Sequence, residues 1–125
     1  MISPRGRVQE FLSKFKIAAE KELVVIRREI NLHFLVQHAF SWRERKEVLF
    51  GLRVEDYIKG PEEDDRARGP KDIWFFGTEY REISIYIKLK LVEETDTATG
   101  KMTPHAMCIS FHEAKWPMSR PYGGD

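Results

Sequence analysis

Cysteine is almost absent from this chain of 125 residues: Cys108 stands alone, so no intramolecular disulfide can form. One thiol with four histidines also falls short of a structural zinc cluster of the usual spacing, and a reducing cytoplasm is the expected setting. No run approaches the roughly 18 apolar residues of a membrane-crossing helix. Met1 to Arg7 leads into a charged amphipathic segment instead of a signal-peptide hydrophobic region, so neither a span nor a leader is expected. A Gly-rich phosphate loop and an H-E-x-x-H helix are both missing, which sets aside phosphate-loop NTPase and zinc protease chemistry. Excess charge is missing too: 21 Lys plus Arg against 20 Asp plus Glu leave +1, which does not suggest a generally basic nucleic-acid binder.

What is present is apolar and aromatic. Hydrophobic residues make up 42% and aromatics 12%, enough for one modest core, and the length predicts one domain over residues 1–125. The charge is unevenly placed. Residues 1–59 hold 12 Lys/Arg and 8 Asp/Glu, and residues 60–125 hold 9 and 12, so the halves carry +4 and −3. Much of the acidic excess sits in Glu62–Asp65 and Glu93–Asp96, both expected as solvated loops.

Periodicity predicts the elements. Ser3-Pro4 reads as an N-cap followed by proline at the first helical position, and Val8, Phe11, Leu12, Phe15 and Ala19 recur at helical spacing. Leu23 to Ile26 suits a strand and Asn31 to Phe40 a helix. Ser41-Trp42-Arg43-Glu44 matches a capping box, and Gly51 is a plausible stop for the helix it opens. Residues 61–71 read as a charged loop between Gly60-Pro61 and Gly69-Pro70. Ile73 to Phe76, Ile83 to Leu91 and Ala106 to Phe111 then read as three strands of a meander, followed by a tail from residue 114. The expected fold is α+β: a small antiparallel sheet of three to four strands against two to three helices. Trp42, Trp74, Phe75 and Phe76 are assigned to the core, and Cys108 is expected as a half-buried small residue.

Strict alternation would put Ile83, Ile85, Ile87, Leu89 and Leu91 on one face of the middle strand and Ser84, Tyr86, Lys88 and Lys90 on the other. In the last strand it would oppose Met107, Ile109 and Phe111 to Cys108, Ser110 and His112. Tyr86, Lys88, Lys90, Ser110 and His112 would then share one surface. Such a cluster suits RNA cleavage without a metal: a base deprotonates a 2′-OH, a cation steadies the charged transition state, and an acid protonates the leaving 5′-oxygen. Alternation of this kind also suits any half-exposed sheet. His33 and His38, five apart, would not share a helical face, so no metal site is expected there.

From the capped helix onward, the words Gly51-Leu52, Glu55-Asp56-Tyr57-Ile58-Lys59, Asp72-Ile73-Trp74, Ile85-Tyr86-Ile87-Lys88 and Ile109-Ser110-Phe111-His112-Glu113 stand in the order and spacing of the MqsR family. The chain resembles these bacterial toxin ribonucleases, which share a RelE-like fold, over about residues 41–115. The resemblance implies an mRNA-cleaving toxin held by a cognate antitoxin protein, with no cofactor. It places the family's functional lysine on Lys59, its strand tyrosine on Tyr86 and its late lysine on His112. The expected catalytic residues are Tyr86, His112 and Lys59, with Lys88, Lys90 and Ser110 binding substrate. Phe75 replaces the family's glutamine, His112 replaces its late lysine, residues 61–70 form a charged insertion, and Lys115-Trp116-Pro117-Met118 extends past its usual end. The alternative reading is a non-catalytic interaction or RNA-binding module that keeps the fold.

Overall fold

The computed structural model describes residues 1–63 and 71–123. The N-terminal helix α1, Arg5–Lys21, buries Val8, Phe11, Leu12, Phe15, Ala18 and Ala19 along one stripe, as the spacing predicts. Its start differs from the expectation. Pro4 occupies the cap position, and Ser3 is turned away: its hydroxyl donates to the Gly60 carbonyl at 2.7 Å and its amide donates to the Tyr57 hydroxyl at 2.8 Å. The chain continues through β1, Leu23–Val25, helix α2, Glu29–Gln37, and helix α3, Trp42–Phe50. The capping box of α3 is complete: the Glu44 amide donates to Ser41 Oγ at 3.0 Å, and the Ser41 amide donates to Glu44 Oε1 at 3.1 Å. Gly51 ends the helix.

A 3-10 turn at Val54–Asp56 leads into β2, Tyr57–Glu62; β3, Ile73–Tyr80, β4, Ile83–Thr95, and β5, Met102–Glu113, complete the sheet. The sheet has five strands in the order β1-β5-β4-β3-β2, not three or four, and it is mixed. The edges are β1, expected as a strand, and β2, which is the additional one. β1 joins β5 in parallel, Leu23 opposite Ala106, and β2 pairs antiparallel with β3. Pro61 and Glu62, expected in the charged loop, belong to β2, where a proline is tolerated because the strand is an edge. Residues 64–70 of that expected loop lie outside the described residues. Gly60 has φ +128°, and a Cβ there would meet the Ile73 carbonyl oxygen at 2.7 Å, so only glycine lets β2 approach β3 at this point.

The second acidic loop is also shorter than expected. β4 and β5 pair out to Thr95 and Met102, and only the turn between them remains, with Asp96 Oδ1 accepting the Ala98 and Thr99 amides. A two-residue turn joins β3 to β4 with both Arg81 and Glu82 at positive φ. Arg81 secures it by reaching Glu44 at 2.9 Å and the His38 carbonyl at 2.6 Å.

One contiguous core fills the space between the helices and one face of the sheet, with Phe11 stacked on Trp74 at 4.5 Å and Phe34 edge-on to Phe111 at 5.8 Å. Two aromatics depart from the expected core. Trp42 is half exposed, with the buried Arg45 guanidinium 4.6 Å from its ring, and Phe75 is buried on the opposite face of the sheet from Trp74 and Phe76. Across that second face runs the tail. The Ala114 amide donates to the Ser84 carbonyl, Met118 lies over Gly77, Arg120 pairs with Glu79 at 2.8 and 3.1 Å, and Tyr122 donates to the Ser3 carbonyl at 2.6 Å. Among the described residues no helix is long and apolar enough to cross a membrane.

A Cβ on Gly77 would overlap Met118 Sδ, the far end of a flexible, half-buried side chain, so Gly77→Ala should displace that thioether at a cost below about 1 kcal/mol. Thermal unfolding of Gly77→Ala, Met118→Ala and the double variant checks this: the double variant is expected to cost clearly less than the two single losses added together.

Candidate functional site

The outer face of the sheet gains its chemistry from an irregularity between β4 and β5. Along β4, Ile85, Ile87 and Leu89 are buried in the core, which leaves Tyr86 and Lys88 on the other side. On β5, Ala106 and Cys108 belong to the same core. Continued alternation would send Ser110 and His112 inward as well. Instead the register slips: Leu89 faces Cys108, Lys88 faces Ser110, and Ile109 is the extra residue of a bulge. Beyond it Phe111 returns to the core, and Ser110 and His112 stand opposite Lys88 and Tyr86. The expected grouping of Cys108 with Ser110 and His112 is therefore corrected. Cys108 is fully buried, its thiol pushed up to about 12 by burial, and Met107 faces Lys90.

Asn31 holds the bulge in place. From α2 its side-chain NH2 donates to the carbonyls of Ile109 at 3.0 Å and Ile26 at 3.2 Å, and its Oδ1 accepts the Phe111 amide at 3.0 Å. β1 ends opposite Cys108, so the Asn31 amide takes over as hydrogen-bonding partner along the free edge of β5. Buried backbone groups left without such a partner would be costly.

His112 is half-buried in this arrangement. Its Nδ1 lies 2.9 Å from the Glu113 carbonyl oxygen, which can only accept; Nδ1 therefore carries the proton, and Nε2 keeps the lone pair of the neutral ring. Burial, followed by repulsion from Lys115, Arg28 and Lys88, lowers its pKa from the ordinary histidine value, against the opposing pull of the Glu113 carbonyl. The Tyr86 ring is 5.5 Å from the imidazole, centre to centre. Ser110, expected on the surface, is buried, and its Oγ accepts from Arg28 Nη1 at 2.7 Å.

Lys59 arrives from β2 in register with Phe75, which in turn faces Lys88. The two ammonium groups flank one ring: Lys59 Nζ lies 4.7 Å and Lys88 Nζ 5.4 Å from the Phe75 centroid. Lys59, Glu62, Lys71, Phe75, Tyr86 and Lys88 line a cleft of about 390 Å³, which Glu63 completes. Part of the acidic run expected as a solvated loop, Glu62 and Glu63, thus stands beside the lysines. Glu62 lies 3.9 Å from Lys59 and 3.0 Å from the N-terminal ammonium, whose hydrogen bond holds its carboxyl below the usual range. Lys90 does not join the cluster, because its Nζ is 3.4 Å from Asp72 Oδ2.

Tyr86, Lys88, Ser110 and His112 thus converge, Lys59 stands across Phe75, and Lys90 is held apart. Arg28 and Asn31 were not foreseen; the only sequence signal was the pair Arg27-Arg28 directly after a β-branched run. His38 pairs with Glu113 at 2.9 Å, and His33 is exposed on α2. Among the described residues no three His, Cys, Asp or Glu side chains cluster as a metal site would require. Comparison of the chain with protein families, with curated proteins and with solved structures gave no match.

Because the folded pKa of His112 lies below its unfolded value, the stability it contributes is present above the ordinary histidine range and is lost as pH falls through that range toward the lowered folded value. Proton NMR titration should place the His112 ring below a free histidine, and Lys115→Gln should move it upward by removing one repulsive charge. Separately, Asn31→Ala strands the Ile109 carbonyl and the Phe111 amide, while the Ile26 carbonyl keeps the Arg28 amide at 3.1 Å, so urea denaturation should show a loss of roughly 2–3 kcal/mol.

Proposed function

We propose that the chain is an endoribonuclease that cuts single-stranded RNA by attack of a 2′-hydroxyl on the adjacent phosphorus, with no metal needed for that chemistry. The observation that carries this reading is the Tyr86–His112 pair set among the positive charges of Lys88, Arg28 and Lys115. His112 Nε2, unprotonated in the neutral ring, accepts the 2′-OH proton. The 2′-oxygen then bonds to phosphorus as the P–O5′ bond breaks, and the Tyr86 hydroxyl protonates the departing 5′-oxygen, leaving a 2′,3′-cyclic phosphate. Lys88 and the Arg28 guanidinium, oriented by Ser110, oppose the charge that builds on the phosphoryl oxygens. Lys59, on the far side of Phe75, reaches a neighbouring phosphate and is not assigned to the reacting one.

The resemblance to MqsR-like toxins with a RelE-like fold supports extending this to an mRNA-cleaving bacterial toxin, cytoplasmic and neutralised by an antitoxin protein. A second reading is favoured by two observations, namely Phe75 in place of a polar residue and Glu62 and Glu63 in the same cleft as the lysines. In it the fold is kept for a non-catalytic interaction module, and overexpression would cause no growth arrest.

Purified protein incubated with single-stranded RNA in EDTA tests the catalytic reading. His112→Ala and Tyr86→Phe should each slow cleavage by about 10²-fold or more. The rate should rise with pH through a midpoint below the ordinary histidine value, since the base must be unprotonated. Equal inactivity of the wild type and both variants would refute it.

A further inference from the structure

The outer side of α2 is unlike a solvated helix surface. Leu32 is 47% and Val36 82% exposed, and they lie in a groove of about 1170 Å³ with Arg27, Arg28, His33 and Lys115, against the single carboxylate of Glu29. A second cleft, lined among others by Ile30, His33, Lys115 and His112, shares those first three residues with the groove and connects it to the imidazole; the Glu113 carboxylate also lines it and is engaged by His38 at 2.9 Å. Directly after Lys115 stands Trp116, 80% exposed, in the tail segment that extends beyond the resembling words. Cations tracking a groove, with an aromatic ring presented to solvent beside them, are the components by which proteins hold single-stranded nucleic acid: the cations follow the phosphates and the ring stacks on a base.

We propose that this groove, with Lys115 and Trp116, is a subsite for the nucleotides flanking the bond cut at His112, so that the RNA strand leaves the sheet face and runs along α2. The proposal rests on RNA being the substrate, and it adds a contact surface outside the cleft between β2 and β4. Charge complementarity selects RNA as occupant: the groove holds Arg27, Arg28 and Lys115 against one glutamate, in a chain whose total is only +1.

The test uses 2′-O-methyl oligouridylates of 4 and 12 nucleotides, which bind but cannot be cut because the attacking hydroxyl is blocked. Affinities are read by fluorescence anisotropy and by quenching of tryptophan emission. The 12-mer should bind at least about tenfold more tightly than the 4-mer and quench Trp116. Arg27→Glu and Trp116→Ala, both at exposed positions, should each weaken the 12-mer about tenfold and leave the 4-mer unchanged. Arg27→Glu should also reduce the slope of log affinity against log salt by about 0.7, one phosphate contact on a single strand. Equal affinity for the two lengths, or 12-mer binding indifferent to both variants, would overturn the subsite. If, in addition, a protein partner is retained by the wild type and lost with Val36→Asp, the groove belongs to protein docking instead. The oligomers are not cleaved in either case. Length-dependent binding by a protein inactive on RNA would therefore refute the catalytic reading alone, and cleavage without length dependence would refute the subsite alone.

Discussion

The amide of Asn31 is the contact on which the outer face depends. A β-strand whose residues alternate strictly cannot bury Ala106 and Cys108 and also present Ser110 and His112 to the opposite side. One extra residue, Ile109, reverses the parity, and a bulge of this kind leaves backbone groups without ladder partners. Asn31 supplies both a donor and an acceptor to those groups from a helix, at the level where the short strand β1 stops. The residue is itself buried, so its hydrogen bonds are shielded from competing water. Core and site are therefore coupled: α2 seats Phe34 against Phe111 and, through Asn31, sets which way His112 points.

Around His112 the electrostatics follow from that placement. The ring is withdrawn from water far enough that charging it is disfavoured, and Lys88, Arg28 and Lys115 add to the penalty. The same cations favour an anion beside the ring. An environment that keeps a base neutral while attracting a phosphate is internally consistent, because one positive field does both. Further along the sheet the field is diluted, since Lys90 is neutralised by Asp72 and Lys59 lies close to Glu62. The near-zero net charge is thus partly a matter of local pairing within the same face and partly of acidic residues placed elsewhere. The tail adds mechanical support, crossing the sheet from Ala114 past Gly77 to Ser3 and joining the end of the chain to its beginning.

Local rules made much of the architecture legible. The stripe from Val8 to Ala19, the Ser41–Glu44 capping box and the apolar face of β4 each depend on residues close in sequence, and each formed as expected. Tyr57 to Glu62 was harder to read. Its glycine and proline signal a break, yet the segment pairs as an edge strand because Gly60 fits against the Ile73 carbonyl. The meeting of Tyr86 and Lys88 with His112 was also anticipated, but by an unbroken alternation that the bulge replaces. Phe75 looked like core by composition and by its apolar neighbours; it is buried, though on the other face and beneath two lysines.

The sequence by itself determined the class of fold, the main elements and the set of polar side chains available for chemistry, because helical stripes, caps and strand alternation are short-range patterns. Only the tertiary structure decided the parity of β5, the parallel pairing of β1, the recruitment of Arg28 to Ser110 and the separation of Lys90 from the cluster. Each of these joins residues distant in the chain or turns on a one-residue slip, and no local pattern records which buried backbone group a distant side chain will satisfy.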